Sequence, residues 1–185
     1  MRVPAVRSIC FLFALPVLFG SSAVALDLTV FAGGTKPGKL DIGGIETALD
    51  GGPVYGFRLG FPIVPMLGHE HTIAFSSDYL FPSGVSDITD AKGFVYNANL
   101  IFSLPVGTIV PYVTGGVGLI HQYGSPDLPV GTKFAVNYGG GLKFPRLVGP
   151  LGLRFDARGY TAVGTSGSSL NMLEVTAGVL LSIGR

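Results

Sequence analysis

The tightest constraint on this chain is where its charges fall relative to its oily residues. In "LRFDARGY", residues 153–160, Leu153, Phe155 and Ala157 alternate with Arg154, Asp156 and Arg158. Successive side chains of a β-strand point to opposite faces, so this period of two makes one face apolar and the other ionic. The closing stretch repeats it, with Leu173, Val175, Ala177, Val179, Leu181 and Ile183 against Glu174, Thr176 and Gly178. Earlier, Tyr55, Phe57, Leu59 and Phe61 oppose Gly56, Arg58 and Gly60, and Phe134, Val136, Tyr138, Leu142 and Phe144 oppose Lys133, Asn137, Gly139, Gly141 and Lys143. Once the apolar residues set the registers, Arg58, Glu70, Asp78, Lys133, Lys143, Arg154, Asp156, Arg158 and Glu174 all share the other face. Lys92, His71 and His121 break the rule and are expected near strand ends, where a bilayer interface tolerates polar groups at about 0–1 kcal/mol.

Gly, Pro, Asp and Ser punctuate the chain into eight such segments, at 26–34, 53–63, 68–79, 92–104, 109–122, 133–144, 151–163 and 170–183. Most are long enough for a tilted crossing of a hydrocarbon layer, which takes about 9 to 11 residues, whereas strands of water-soluble proteins are usually nearer 5 or 6. "IVPYVTGGVGLIH", residues 109–121, is apolar enough for a membrane helix, but Pro111, Gly115, Gly116 and Gly118 oppose helix formation. As a strand, it sets Val113, Gly115, Val117 and Leu119 outward and Tyr112, Thr114, Gly116, Gly118 and Ile120 inward. Connections 35–52, 80–91, 123–132 and 164–169 are polar and mostly long, while 64–67, 105–108 and 145–150 are tight and proline-bearing. Long loops at one end and short turns at the other predict an all-β, eight-stranded antiparallel up-and-down transmembrane β-barrel.

Alternation alone also suits a soluble lipocalin-like carrier, whose apolar face would point inward. Charged residues make up only 12% of the chain, against about 25% in a typical soluble domain. The face opposite the oily one is mostly Gly, Ser, Thr and Asn, too sparsely charged for an exterior in water. Aromatic residues also gather into two bands: Phe61, Phe102 and Phe144 towards the short turns, and Tyr55, Tyr79, Phe94, Tyr96 and Phe134 towards the long loops. Such girdles mark the two interfaces of a bilayer. Residues 1–25 read as a signal peptide, with Arg2 and Arg7, the apolar run Ile9 to Phe19 and Ala23-Val24-Ala25 before a cleavage site. Residues 26–185 then form the barrel domain. Cys10 is the only cysteine, so no disulfide framework is expected after cleavage. A net charge of +1 gives no support for a nucleic-acid partner.

The segments "PYVTGGVG" (111–118), "FAVNYGGGLKF" (134–144), "LRFDARGY" and "LEVTAGVLLSIG" (173–184) resemble the small outer-membrane β-barrel family of Gram-negative bacteria, which includes the OmpA transmembrane domain and OmpX. The resemblance implies a cell outer-membrane protein that meets lipid and lipopolysaccharide and is folded by the barrel-assembly machinery. Family members commonly end on an aromatic residue, whereas this sequence ends Ser182-Ile183-Gly184-Arg185. Nothing after the eighth strand corresponds to an appended peptidoglycan-binding domain.

Candidate chemistry is sparse. "GGTKPGKL" (33–40) approaches the spacing of a phosphate-binding loop, but Leu40 stands where a Ser or Thr would hold magnesium, so a surface turn is expected. His69 and His71 share a strand face without a third metal ligand, and Asp78, Asp87 and Asp90 lack the spacing of a calcium loop. No metal or cofactor is expected. His121, with Ser125 and Asp127 nearby, supplies the ingredients of a lipid A-modifying enzyme, but no Gly-x-Ser-x-Gly elbow accompanies them. Arg58, Glu70, Arg154, Asp156, Arg158 and Glu174 are expected to neutralise one another inside the barrel and fill its lumen. The expectation is a non-enzymatic, monomeric barrel with a structural, adhesion or surface-interaction role through loops 35–52, 80–91 and 123–132.

Overall fold

The computed structural model describes residues 25–42, 45–77, 81–82, 91–124, 131–165 and 168–184, with side chains left aside at 39–42, 45–48, 81–82, 163–165 and 168–169. The expected signal peptide, Tyr79, Asp78, Asp87, Asp90, Ser125 and Asp127 lie outside these residues. Among the described residues eleven strands occur in chain order: β1 (Leu26–Pro37), β2 (Lys39–Ile42), β3 (Ile45–Asp50), β4 (Pro53–Val64), β5 (Leu67–Ser76), β6 (Phe81–Pro82), β7 (Ala91–Ser103), β8 (Val110–Gly124), β9 (Thr132–Val148), β10 (Leu151–Thr165) and β11 (Ser168–Ile183). Eight of them close a barrel in the order β1-β11-β10-β9-β8-β7-β5-β4. Every neighbouring pair is antiparallel, and the first strand closes on the last with Leu26 opposite Ile183 and Lys36 opposite Leu173. Closure pairs both edges of the sheet, the condition for backbone polar groups to sit in hydrocarbon.

Each wall strand alternates as its sequence does. Val30, Phe57, Leu100, Val113, Phe155 and Val179 are exposed on the outside, Val113 at 62%. Arg58, Glu70, Asn97, Tyr112, Arg154, Arg158 and Glu174 are buried inside. Glycine makes the interior possible. A β-carbon on Gly141 would lie 2.0 Å from the Phe155 carbonyl oxygen and 2.5 Å from the Tyr112 hydroxyl, and one on Gly116 would lie 2.1 Å from Asn99 Oδ1.

Three features differ from the sequence expectations. First, the region 35–52 is not one surface loop: β1 runs to Pro37, and β2 and β3 form a hairpin, Lys39 opposite Ala48, whose second strand also pairs with β6. "GGTKPGKL" therefore lies in strands, with the Gly38 N–H donating to the Asn171 carbonyl at 2.7 Å. Second, β9 continues past Phe144 to Val148. Phe144 is opposite Leu153 and Val148 opposite Leu151, so residues 145–147 bulge against Gly152, and Arg146 takes φ 53°. Proline at 145 donates no ladder hydrogen bond, which is why the strand bulges there instead of running on regularly. Third, the interior is layered rather than polar throughout. Val54, Ala74, Val95, Ile120, Ala135, Ala162, Leu170 and Met172 form an apolar cap towards the long loops, joined by Leu49 of the hairpin. The charges occupy the middle below it.

At the opposite end the hairpins are tight. Pro65 and Met66 turn β4 into β5, with Met66 at φ 72°, while Gly107 and Gly149 supply φ 61° and 59° at the other two turns. Positive φ is costly for residues with a β-carbon, so two of the three turns use glycine.

Candidate functional site

The charged layer is assembled from widely separated strands. Arg58 comes from β4, Glu70 from β5, Arg154, Asp156 and Arg158 from β10, and Glu174 from β11. All are buried, and the three guanidinium groups face three carboxylates. Arg58 donates through Nη2 to Glu174 Oε1 at 2.9 Å and through Nη1 to Asp156 Oδ2 at 3.3 Å. Its guanidinium also lies 3.6 Å from the centre of the Phe31 ring. Arg154 forks onto Glu70, donating to both carboxylate oxygens, and reaches Asp156 Oδ2 through Nε at 3.0 Å. Arg158 donates through Nη2 to Glu70 Oε1 at 2.7 Å and to Asp156 Oδ1 at 3.0 Å.

Neutral groups complete the shell. The Tyr112 hydroxyl donates to Asp156, Tyr160 donates to Glu174 Oε2 at 3.2 Å, and Thr176 and Thr72 accept from Arg58 and Arg158 at 3.2 and 3.4 Å. A buried ion is tolerable only when it is paired and its remaining hydrogen-bonding positions are filled. Here Asp156 touches all three arginines and Glu70 two, while Glu174 pairs with Arg58.

Below the layer lies a second pair that the sequence reading did not single out. Lys143 Nζ donates to Asp27 Oδ2 at 3.0 Å, and Ser182 Oγ donates to Asp27 Oδ1 at 3.0 Å. The signal was available in parity: Leu26, Leu28 and Val30 set the outer face of β1 and leave Asp27, Thr29 and Phe31 inward. This pair borders an open vestibule of about 380 Å³ at the short-turn mouth, walled by Phe61, Val64, Met66 and Ile101.

The aromatic residues expected in the two bands stand outside where they are described. Tyr55 packs on Phe75 at 6.3 Å, and Phe75 on Phe94 at 5.5 Å. Phe61 stacks on His69 at 5.0 Å, Phe144 meets Phe155 edge-on at 6.1 Å, and Phe102 and Phe134 are exposed. Tyr96 reaches away from its band, its hydroxyl 2.9 Å from His71 Nδ1. His71 is not near a strand end as expected. It is the fifth of the ten residues of β5, opposite Leu59 and Ala98. His121 bonds Thr132 Oγ1 at 2.7 Å. Among the described residues no three His, Cys, Asp or Glu side chains gather as metal ligands would.

Known protein families give no match to this sequence, and curated proteins give none either. Solved structures do. Neisserial surface protein A is 17% identical, with 85% of this chain and 97% of that one aligned at a TM-score of 0.64. The chain has the fold of the small outer-membrane β-barrels. Ail, the attachment invasion locus protein of Yersinia pestis, in complex with the heparin analogue sucrose octasulfate, is 15% identical over 85% of this chain and 99% of that one, with a TM-score of 0.52. The outer membrane enzyme PagL is 13% identical over 86% and 99%, with a TM-score of 0.53. An attachment protein and an enzyme on one scaffold show that the likeness carries the fold and not the activity. In this barrel the apolar wall is outermost, and the ionic layer crosses the lumen within it.

Proposed function

We propose that this chain is a non-enzymatic barrel of the outer membrane, closed to solutes by its charged layer, which serves envelope structure or surface attachment through its long-loop end. The observation that carries the reading is that Asp156 contacts Arg58, Arg154 and Arg158 at once. A lumen wide enough for water and ions would separate these groups, whereas an eight-stranded barrel has room only for its own side chains. The apolar cap from Val54 to Leu170 closes the same lumen a second time, nearer the loops. With nothing passing through, recognition falls to the connections at the long-loop end, held on a rigid scaffold.

Planar-bilayer recording with the purified barrel tests the closure. The expected result is no stepwise conductance, and sustained steps at low voltage would overturn the plug. The non-enzymatic part is tested separately by mass spectra of lipid A from cells with and without the protein. Identical spectra are expected, and loss of an acyl chain or addition of a group would replace this reading with catalysis.

A further inference from the structure

On the outer wall, β5 carries a patch that is polar where its surroundings are oily. His69 and His71 project outward from β5, edge to face, with ring centres 5.5 Å apart. Phe61 covers one side of the pair, and Tyr96 takes up Nδ1 of His71. That leaves Nε2 of His71 without a partner among the described residues, and both ring nitrogens of His69 likewise. Unsatisfied polar groups against hydrocarbon are expensive, so a partner from outside the chain is called for.

Beside the pair the wall is hollowed. Ala98 and Gly115 are small where neighbouring outward residues are Leu100 and Val117, and the depression they leave measures about 290 Å³. A β-carbon at Gly115 would meet nothing closer than 3.9 Å, so the space is open. Its lining is apolar except at the histidine rim.

Depth identifies the occupant. His69 and His71 are the third and fifth residues after the tight turn at Pro65 and Met66. At about 3.3 Å per residue on a strand tilted by about 40°, they stand roughly 8 and 13 Å above that turn. His69 is level with Phe61 of the short-turn aromatic band, the height of glycerol ester with phosphate just below it, and His71 is level with the first methylenes. A second copy facing the patch across a two-fold axis would set imidazole against imidazole, with no carboxylate on this part of the outer face to accept from them. We propose that the patch binds one phospholipid of the leaflet at the short-turn end, its phosphate or ester oxygens on the imidazole N–H groups and an acyl chain in the Ala98–Gly115 hollow. The proposal rests on the transmembrane reading of the barrel.

The test is native mass spectrometry of the full chain released from detergent after exchange into dioleoyl phosphatidylglycerol or into dioleoylglycerol, which lacks the phosphate. Wild type is expected to retain one phosphatidylglycerol and little dioleoylglycerol. The H69F/H71F variant should lower that one-lipid adduct at least tenfold, and G115L, which fills the hollow and leaves the imidazoles alone, should lower it several-fold. Each variant is first checked for the heat-dependent gel mobility of a closed barrel. If the double variant does not fold, H69F alone takes its place. Equal retention by the histidine variant overturns the proposal, as does equal retention of dioleoylglycerol. A wild-type dimer abolished by H69F/H71F would assign the patch to a second copy and overturn it too. Failure of wild type itself to show the mobility shift would instead strike the barrel reading.

Discussion

The inner and outer faces of β10 are built from the same backbone and obey opposite rules. Outside, Leu151, Leu153 and Phe155 are exposed to the extent of 45%, 42% and 46%, and in the proposed membrane setting each meets a fluid that accepts any oily shape. Inside, Arg154, Asp156, Arg158 and Tyr160 are each at most 4% exposed, and every one has a named partner on another strand. The outer face is therefore specified by class of residue, the inner face by individual residue. Substitutions that ignore class should hurt outside, while even careful substitutions should hurt inside.

The sharpest way to break this contrast is Asp156→Ala. It leaves Arg58, Arg154 and Arg158 facing only Glu70 and Glu174, an uncompensated positive charge in a dry interior. Removing one partner of a buried ion pair costs about 3–5 kcal/mol. The expected outcome is a loss of that size in urea unfolding from lipid vesicles, or a barrel that no longer shows a folded band on a gel. A change below about 1 kcal/mol would mean that the layer is hydrated and that the inner face is not specified residue by residue.

Next in size is Phe155→Arg, one residue away and on the other face. An arginine facing lipid costs about 2–4 kcal/mol at the bilayer midplane and less towards an interface, so about 1–3 kcal/mol is expected here, two residues beyond Leu153 and its partner Phe144. Phe155→Leu on the same site should cost much less, about 1 kcal/mol or under, because lipid reshapes around the smaller side chain where a packed core would keep a cavity. If both replacements cost the same, the outer wall is packed against protein and not against acyl chains.

These two faces also show what was legible in the sequence. The parity of "LRFDARGY" and of residues 173–183 carries the strands and their two faces, and the sparse charge of the polar face with the aromatic bands turns the charges inward and the rings outward. Partners were not legible. Arg58 and Glu174 are 116 positions apart, and nothing local says that their strands flank β1 and so stand close across the lumen. The β2–β3 hairpin hid in a stretch too polar and too rich in turn residues for a period to emerge. The bulge at 145–147 hid behind Pro145, which reads as the end of a strand because it cannot continue a regular ladder. The apolar cap was missed because inward Val54, Val95 and Leu170 occupy positions where charges had been expected to set the rule. His71 was misplaced for the converse reason: a polar residue on the oily face suggests a strand end until Tyr96 is seen to bond it.

The smallest effect belongs to the short-turn mouth, where the rule of the inner face relaxes. Lys143 and Asp27 pair with side chains 10% and 5% exposed beside the open vestibule. Water can take over what one of them loses, unlike in the layer above. Lys143→Met keeps the length and oily stem of the side chain and removes the charge, leaving Asp27 with Ser182 and access to solvent. The expected cost is about 1–2 kcal/mol, between an exposed pair and a buried one. Asp27→Asn combined with Lys143→Met should restore part of it, since no lone charge then remains. A coupling of that sign in a double-mutant cycle would place the pair on the inner-face side of the contrast, and strict additivity would make it a surface pair in energetic terms.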